Sequence, residues 1–158
     1  PKRAEVIDFS TAYVEIEATY LVPAGSPYNT IDEIDQENVR IAVSERSAYD
    51  LYLSRHLNDA ELVRAQGVTG AMELFKKDEL EALAGLRPAL VMESANLAGS
   101  KILDGSFTSI QQAIGVTKGN TAAADFVASF VEESKANGLI ANLIDKHNVT
   151  GKLSVGSS

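Results

Sequence analysis

The residues best suited to chemistry lie in one short stretch, Glu45, Arg46, Ser47, Ala48, Tyr49 and Asp50. Before it, Val39, Ile41 and Val43 are β-branched and Ala42 permits close packing, so the spacing predicts a strand over 39–43 covered on both faces. After it, Ser47 with Asp50 three positions on is a capping-box-like start for a helix over 47–57, with Leu51, Leu53 and Leu57 as its apolar positions. A strand feeding a helix start leaves the amides near Ser47, Ala48 and Tyr49 unpaired. Together with the Ser47 hydroxyl and the positive end of the helix dipole, those donors suit a carboxylate or another anion. A plain, well-capped helix satisfies the same pattern, and most caps bind nothing.

Elsewhere the chemistry is thinner. His56 and His147 are far apart and lack metal-ligand spacing to a carboxylate pair, so neither a metal nor any other cofactor is expected. Gly115 to Gly119 reads as a turn, because it lacks the full phosphate-loop pattern. No Ser-His-Asp order stands out. The tyrosines at 13, 20, 28, 49 and 52 fit core or cleft-lining positions, and Tyr13 and Tyr49 are the best placed to pack on a ligand.

The elements that must position these residues alternate between strand and helix. The 158 residues, 45% hydrophobic, can form one sizeable core or two small lobes. Val14, Ile16 and Ala18 alternate with Glu15 and Glu17, predicting a long strand over 12–22 with one buried face, ended by Pro23 to Pro27. Thr30 and Glu33 open a short helix, Leu62 and Val63 form a short strand, and Thr69 caps a helix through Phe75. Residues 80–84, 101–104 and 111–116 read as strands, with a helix from Pro88 to about Leu97 between the first two. Phe126, Val127, Phe130 and Val131, then Leu139, Ile140, Leu143 and Ile144, recur at helical spacing, giving helices over about 121–136 and 139–147. The polar tail, 151–158, reads as frayed. Such alternation implies a mostly parallel α/β sheet.

Twenty-two acidic against 14 basic side chains give a net charge of -8, which argues against nucleic acid or an anionic membrane as the main partner. There is no cysteine, so thiol catalysis and disulfides are excluded. No apolar run approaches membrane-spanning length, and Pro1 to Glu5 is not a signal peptide.

The order of Arg3 to Ser10, Tyr20 to Pro27, Ile31 to Ile34 and the Ser47 helix carries a family resemblance. It continues through Leu80 to Pro88, Ala113 to Gly119 and the terminal helix pair ending at His147. This series resembles the family 3 extracellular solute-binding proteins, the amino-acid receptors of ABC importers, over nearly the whole chain. The resemblance implies a type II periplasmic-binding-protein-like α/β fold, with two lobes joined by two crossover strands and a ligand clamped between them. Residues 12–22 and 108–116 are then the crossovers. Residues 23–107 form a complete second lobe, and residues 1–22 and 108–150 a partial first lobe whose opening portion is absent. An incomplete lobe would expose apolar surface and favour dimerisation or strand exchange.

The resemblance also assigns site residues. Arg3 matches the family's arginine that forks onto the ligand carboxylate, and Ser47 matches the hydroxyl residue that receives the same group. Two positions depart from the family. Arg46 replaces a common glycine and Ala48 replaces a hydroxyl residue. Leu86, followed by Arg87, stands where an acidic residue usually holds the ligand's α-ammonium. An ammonium buried without a counter-charge is costly, so an acid lacking the amine, or a dianion, fits better if Arg3, Arg46 and Arg87 all face the cleft. Alternatively Arg46 and Arg87 point to solvent, or pair with Glu45 and Glu93.

The leading expectation is therefore a non-enzymatic, periplasmic or extracellular binding component that presents a small carboxylate to a membrane permease. Two alternatives stand beside it: a dehydratase-like enzyme using Glu45 or Glu93, and a ligand-incompetent fragment or sensory module.

Overall fold

The computed structural model describes residues 2–157, which separate into two compact units, residues 2–16 with 111–157 and Glu17–Ile110. The strands are β1 (Ile7–Phe9), β2 (Val14–Val22), β3 (Arg40–Ser44), β4 (Glu61–Ala65), β5 (Ala82–Leu86), β6 (Lys101–Ile102), β7 (Thr108–Gln112), β8 (Gly115–Thr117) and β9 (Ser154–Val155). The helices are α1 (Ala48–His56), α2 (Gly67–Lys77), α3 (Arg87–Ala95), α4 (Thr121–Ala136) and α5 (Leu139–Lys146). Strands β2 and β7 both cross from one unit into the other.

In the Glu17–Ile110 unit the strands lie in the order β4-β3-β5-β2-β6. The centre is parallel: β3 pairs in parallel with β4 and β5. Strand β2 runs antiparallel to both β5 and β6. The β-branched and small residues of 39–43 make a strand that is covered on both faces. Ile41 and Val43 meet Tyr49 and Leu53 of α1 on one side, while Ala42 and Leu83 meet Ala71 and Phe75 of α2 and Leu90 of α3 on the other. Close packing of α3 depends on Gly85, where an added Cβ would stand 3.0 Å from a Leu90 methyl. At the entrance to β3, Arg40 forks onto Glu81 through Nε and Nη2 at 2.9 and 2.8 Å, tying the starts of β3 and β5 together.

Several boundaries differ from those the pattern predicts. Only the first half of β2 is half-buried; Ala18 to Val22 are buried on both faces, because β5 and β6 flank them beneath both helical layers. Strand β4 extends over five residues although Glu61 and Arg64 are polar, since an edge strand borrows its pairing from β3. Helix α2 begins two residues before Thr69, with Gln66 preceding it. Strand β5 runs two residues later than 80–84, following the ladder set by β2 and β3.

The other unit is thinner. Strands β1 and β8 form a two-stranded antiparallel pair, with Ile7 opposite Thr117 and Phe9 opposite Gly115. The strand predicted over 111–116 is broken between β7 and β8. There, Ser10 takes up Ile114 twice, its amide donating to the Ile114 carbonyl at 2.9 Å and its hydroxyl accepting the Ile114 amide at 3.1 Å. Helices α4 and α5 occupy the predicted spans, with Asn120 capping α4 and left-handed Gly138 preceding α5. The expected frayed tail is corrected: β9 pairs with Val14 and Glu15, the Gly156 amide donates to Tyr13 O at 3.0 Å, and Ser157 donates to the Glu15 carboxylate. No helix among the described residues is long and apolar enough to cross a membrane.

Candidate functional site

Strand order singles out one place on the Glu17–Ile110 unit. The chain leaves β3 through α1 toward β4 on one side, and leaves the adjacent β5 through α3 toward β6 on the other. Helix α1 packs on one face of the sheet and α3 on the opposite face. Neighbouring parallel strands whose exits diverge create a crevice beyond their carboxyl ends, which is where open α/β sheets take ligands. The residues at these two exits are Glu45 to Tyr49 after β3, and Leu86 with Arg87 at the end of β5. The fold thus brings together six of the eight candidate site residues.

The β3 exit is a tightly bonded turn. Ser47 is the N-cap of α1, and its hydroxyl oxygen accepts the Asp50 amide at 3.0 Å. Asp50 returns a bond, but to the residue before the cap: Oδ2 accepts the Arg46 amide at 2.8 Å, while the Ser47 amide donates to Ser44 O at 3.2 Å. Arg46 has φ +61°, in the left-handed region that favours glycine. That is the physical reason a glycine suits this position. Its guanidinium is 88% exposed, 3.8 Å from Glu45. The amides of Ala48 and Tyr49 have no partner among the described residues. With the Ser47 hydroxyl hydrogen they form a small set of donors at the positive end of α1. Tyr49 is only 5% exposed and belongs to the core with Ile41 and Val43. Its contribution at this turn is the amide.

The β5 exit is committed differently. Leu86 precedes α3, makes no side-chain cap bond, and pairs across the ladder with Ala18. Arg87 Nε donates to Glu17 Oε2 at 2.6 Å and Nη2 to Gly105 O at 2.7 Å. This guanidinium therefore binds β2 and the loop after β6, not Glu93, which pairs with Lys76 of α2. Sequence reasoning missed Glu17 because it lies 70 positions away. It also missed Arg64 of β4, whose Nε donates to Asp50 Oδ1 at 3.0 Å.

Arg3 and Tyr13 belong to the other unit. Arg3 lies in a short 3-10 helix, Lys2–Glu5, exposed, and its side chain makes no bond or ion pair among the described residues. Tyr13 borders two apolar concavities of about 230 and 320 Å³ formed with Ile140 and Leu143. His147 lines the larger of these, and His56 stacks on Tyr52 at 3.9 Å. Among the described residues no three His, Asp or Glu side chains cluster as metal ligands would. A further concavity of about 340 Å³, in the Glu17–Ile110 unit, lies at the opposite end of the parallel strands from Ser47. It is lined mainly by Pro23, Phe75, Leu80 and Leu97. The chemistry, unlike the volume, is at the strand exits.

Residues 1–150 match the sequence profile of the bacterial extracellular solute-binding proteins, family 3. No curated protein matches the chain. Among solved structures, the GluR0 ligand-binding core in complex with L-glutamate superimposes with a TM-score of 0.75 at 19% identity, covering 92% of this chain and 66% of that one. Holo ArgBP from T. maritima gives 0.66 at 23% identity, covering 92% and 63%. An ancestral amino-acid-binding protein described as a precursor of cyclohexadienyl dehydratase gives 0.71 at 17% identity, covering 92% and 63%. At these identities the likeness is one of fold, that of the type II periplasmic binding proteins. The chain spans less than two thirds of the length of each of these proteins.

Proposed function

The chain belongs to the bacterial extracellular solute-binding proteins of family 3, and we propose that it serves as the solute-capturing component of an extracytoplasmic ABC importer, holding a small carboxylate for delivery to a membrane permease. One observation carries this reading. The Ser47 turn, with the unpaired amides of Ala48 and Tyr49, stands at the diverging exits of β3 and β5. Convergent donors at a helix start favour an anion, and a carboxylate is the anion common to the amino-acid ligands of the fold relatives. Arg3, whose side chain makes no bond among the described residues, is proposed as a further carboxylate-binding guanidinium on its match to the family's arginine.

The ligand's other end is defined by what β5 offers. Leu86 brings an apolar side chain where a carboxylate would neutralise an α-ammonium, and neighbouring Arg87 adds positive charge already matched by Glu17. A desolvated ammonium beside this pair would lack a counter-charge. The proposed ligand is therefore an organic acid without an α-amine, such as a 2-oxo, hydroxy or dicarboxylic acid. Of the two carboxylates considered for a dehydratase-like reaction, Glu45 stands at the β3 exit, 3.8 Å from Arg46, while Glu93 of α3 pairs with Lys76.

Isothermal titration with pyruvate, 2-oxobutyrate, succinate and the corresponding L-amino acids tests the reading. Binding of one or more amine-free acids is expected, weakened about tenfold or more by Ser47→Ala, which removes one charge-assisted hydrogen bond worth about 1.5–3 kcal/mol. Preference for the L-amino acids would overturn the ligand assignment. An unchanged affinity in Ser47→Ala would remove the turn from the site. Turnover of a bound acid would move the chain to the enzymatic reading.

A further inference from the structure

The Ser47 turn is braced from behind by charged residues that touch none of its outward-facing donors. Arg64, on β4, sends Nε to Asp50 Oδ1 at 3.0 Å and Nη2 to Ser54 Oγ at 2.8 Å. Ser54 Oγ donates to the Asp50 carbonyl at 2.8 Å, closing a ring of bonds around the first turns of α1. Asp50 Oδ2 holds the Arg46 amide, and the Asp50 amide donates to the Ser47 hydroxyl oxygen. The Asp50 side chain is 4% exposed, so it is removed from solvent and acts only through these partners.

We propose that Asp50 and Arg64 are paired positioning residues of the carboxylate site, with two separable duties; this rests on the reading that a carboxylate seats at the Ser47 turn. The first duty is geometric. Arg46 is not glycine, and its left-handed backbone persists because Asp50 holds its amide. The Ser47 oxygen accepts from the Asp50 amide while its hydroxyl hydrogen stays available, so the hydroxyl can donate beside the Ala48 and Tyr49 amides. The second duty is electrostatic. Asp50 places a negative charge directly beneath a site for an anion, and Arg64 neutralises it. Without Arg64 that buried charge would repel the ligand through a medium that screens poorly.

The two duties predict an inverted pattern that simple loss of packing would not give. Affinity for an amine-free acid, with succinate and pyruvate as probes, is read by titration. The Arg46 backbone angle is read independently, from its amide-to-α-proton coupling in the ligand-free protein. Arg64→Gln is expected to weaken binding about tenfold, roughly one full charge-assisted contact, while Arg64→Lys restores most of it. Asp50→Asn in the Arg64→Gln background keeps an acceptor for Arg46, removes the charge, and is expected to recover affinity. Asp50→Ala is expected to release Arg46 from the left-handed region; Asp50→Asn, the milder change, keeps the test open if the alanine variant does not fold. Equal affinity in wild type and Arg64→Gln, or failure of Asp50→Asn to recover it, overturns the electrostatic duty while leaving the carboxylate reading in place. An unmoved Arg46 angle in Asp50→Ala overturns the geometric duty. If no probe binds wild type yet the angle relaxes in Asp50→Ala, the carboxylate reading fails and the electrostatic duty with it, while the geometric duty is supported.

Discussion

Asp35 shows how a single carboxylate supports the site without belonging to it. It follows a short 3-10 helix, Ile31–Glu33, and receives the amides of Asn58, Asp59 and Ala60 at 2.9–3.1 Å, so it fastens the turn that links α1 to β4. Burial pushes its carboxyl upward, but the amides of Ala60, Asp59 and Asn58 outweigh that and bring it down from 3.8 to about 2. A carboxylate whose folded value is depressed adds stability above its unfolded value, and that stability is lost as pH falls from about 4 toward 2. After discounting for solvent screening, the contribution is about 1 kcal/mol. Asp35→Asn is thus expected to lower stability by about 1 kcal/mol at neutral pH, with the difference from wild type closing below about pH 2. Urea midpoints measured from pH 6 to pH 2 check this, and two curves that stay parallel would refute it. What sequence could show at this scale was local. The Ser47–Asp50 spacing of three announces its own cap, whereas the Arg64 and Glu17 partners are 14 and 70 positions from the residues they bind. No periodic pattern encodes such pairings, because only the strand order brings them together.

At the scale of elements, the helices were the most legible, since the apolar residues of α4 and α5 recur at a helical spacing that the residue order displays directly, although of that stripe only Val131 and Ile144 are buried. Strand β9 was invisible for the opposite reason. Two residues carry no pattern, and the strand exists through Val14, Glu15 and Tyr13, about 140 positions earlier. Its seat imposes a demand on one glycine. A Cβ at Gly156 would lie 2.1 Å from the Ala12 carbonyl oxygen, a backbone atom that cannot turn aside. Gly156→Ala is therefore expected to detach β9 from β2 without disturbing β3 or β5. Hydrogen exchange gives the readout: the Gly156 amide, now bonded to Tyr13, should lose protection while the Ile41 and Leu83 amides keep theirs. Retained protection at residue 156 would mean that the strand tolerates the side chain and that the close approach is not what holds the tail.

For the whole molecule, the decisive contrast is between the cores of the two units. Both extended clusters of buried side chains, from Ala18 and Tyr20 to Leu90 and Leu103, lie within Glu17–Ile110. The other unit buries Ala12, Val131, Ser134 and Ile144, and leaves Phe126 70%, Phe130 49% and Leu139 42% exposed. At about 25 cal/mol per Å² of apolar surface removed from water, a unit that exposes its largest side chains gains little against the entropy of ordering its backbone. Much of the apolar stripe of α4 and α5 is exposed within that thin unit. Unfolding should then depart from a single all-or-none step. Native-state hydrogen exchange in increasing urea is expected to open α4, α5 and β8 at low denaturant, as a group, well before β3, β4 and β5. One shared opening energy across both units would contradict this, because it would require the thin unit to draw its stability from the thick one. Early opening of α4 and α5 would leave the Ser47 turn standing, since its bonds to Asp50, Arg64 and Ser54 all lie inside the unit that opens last.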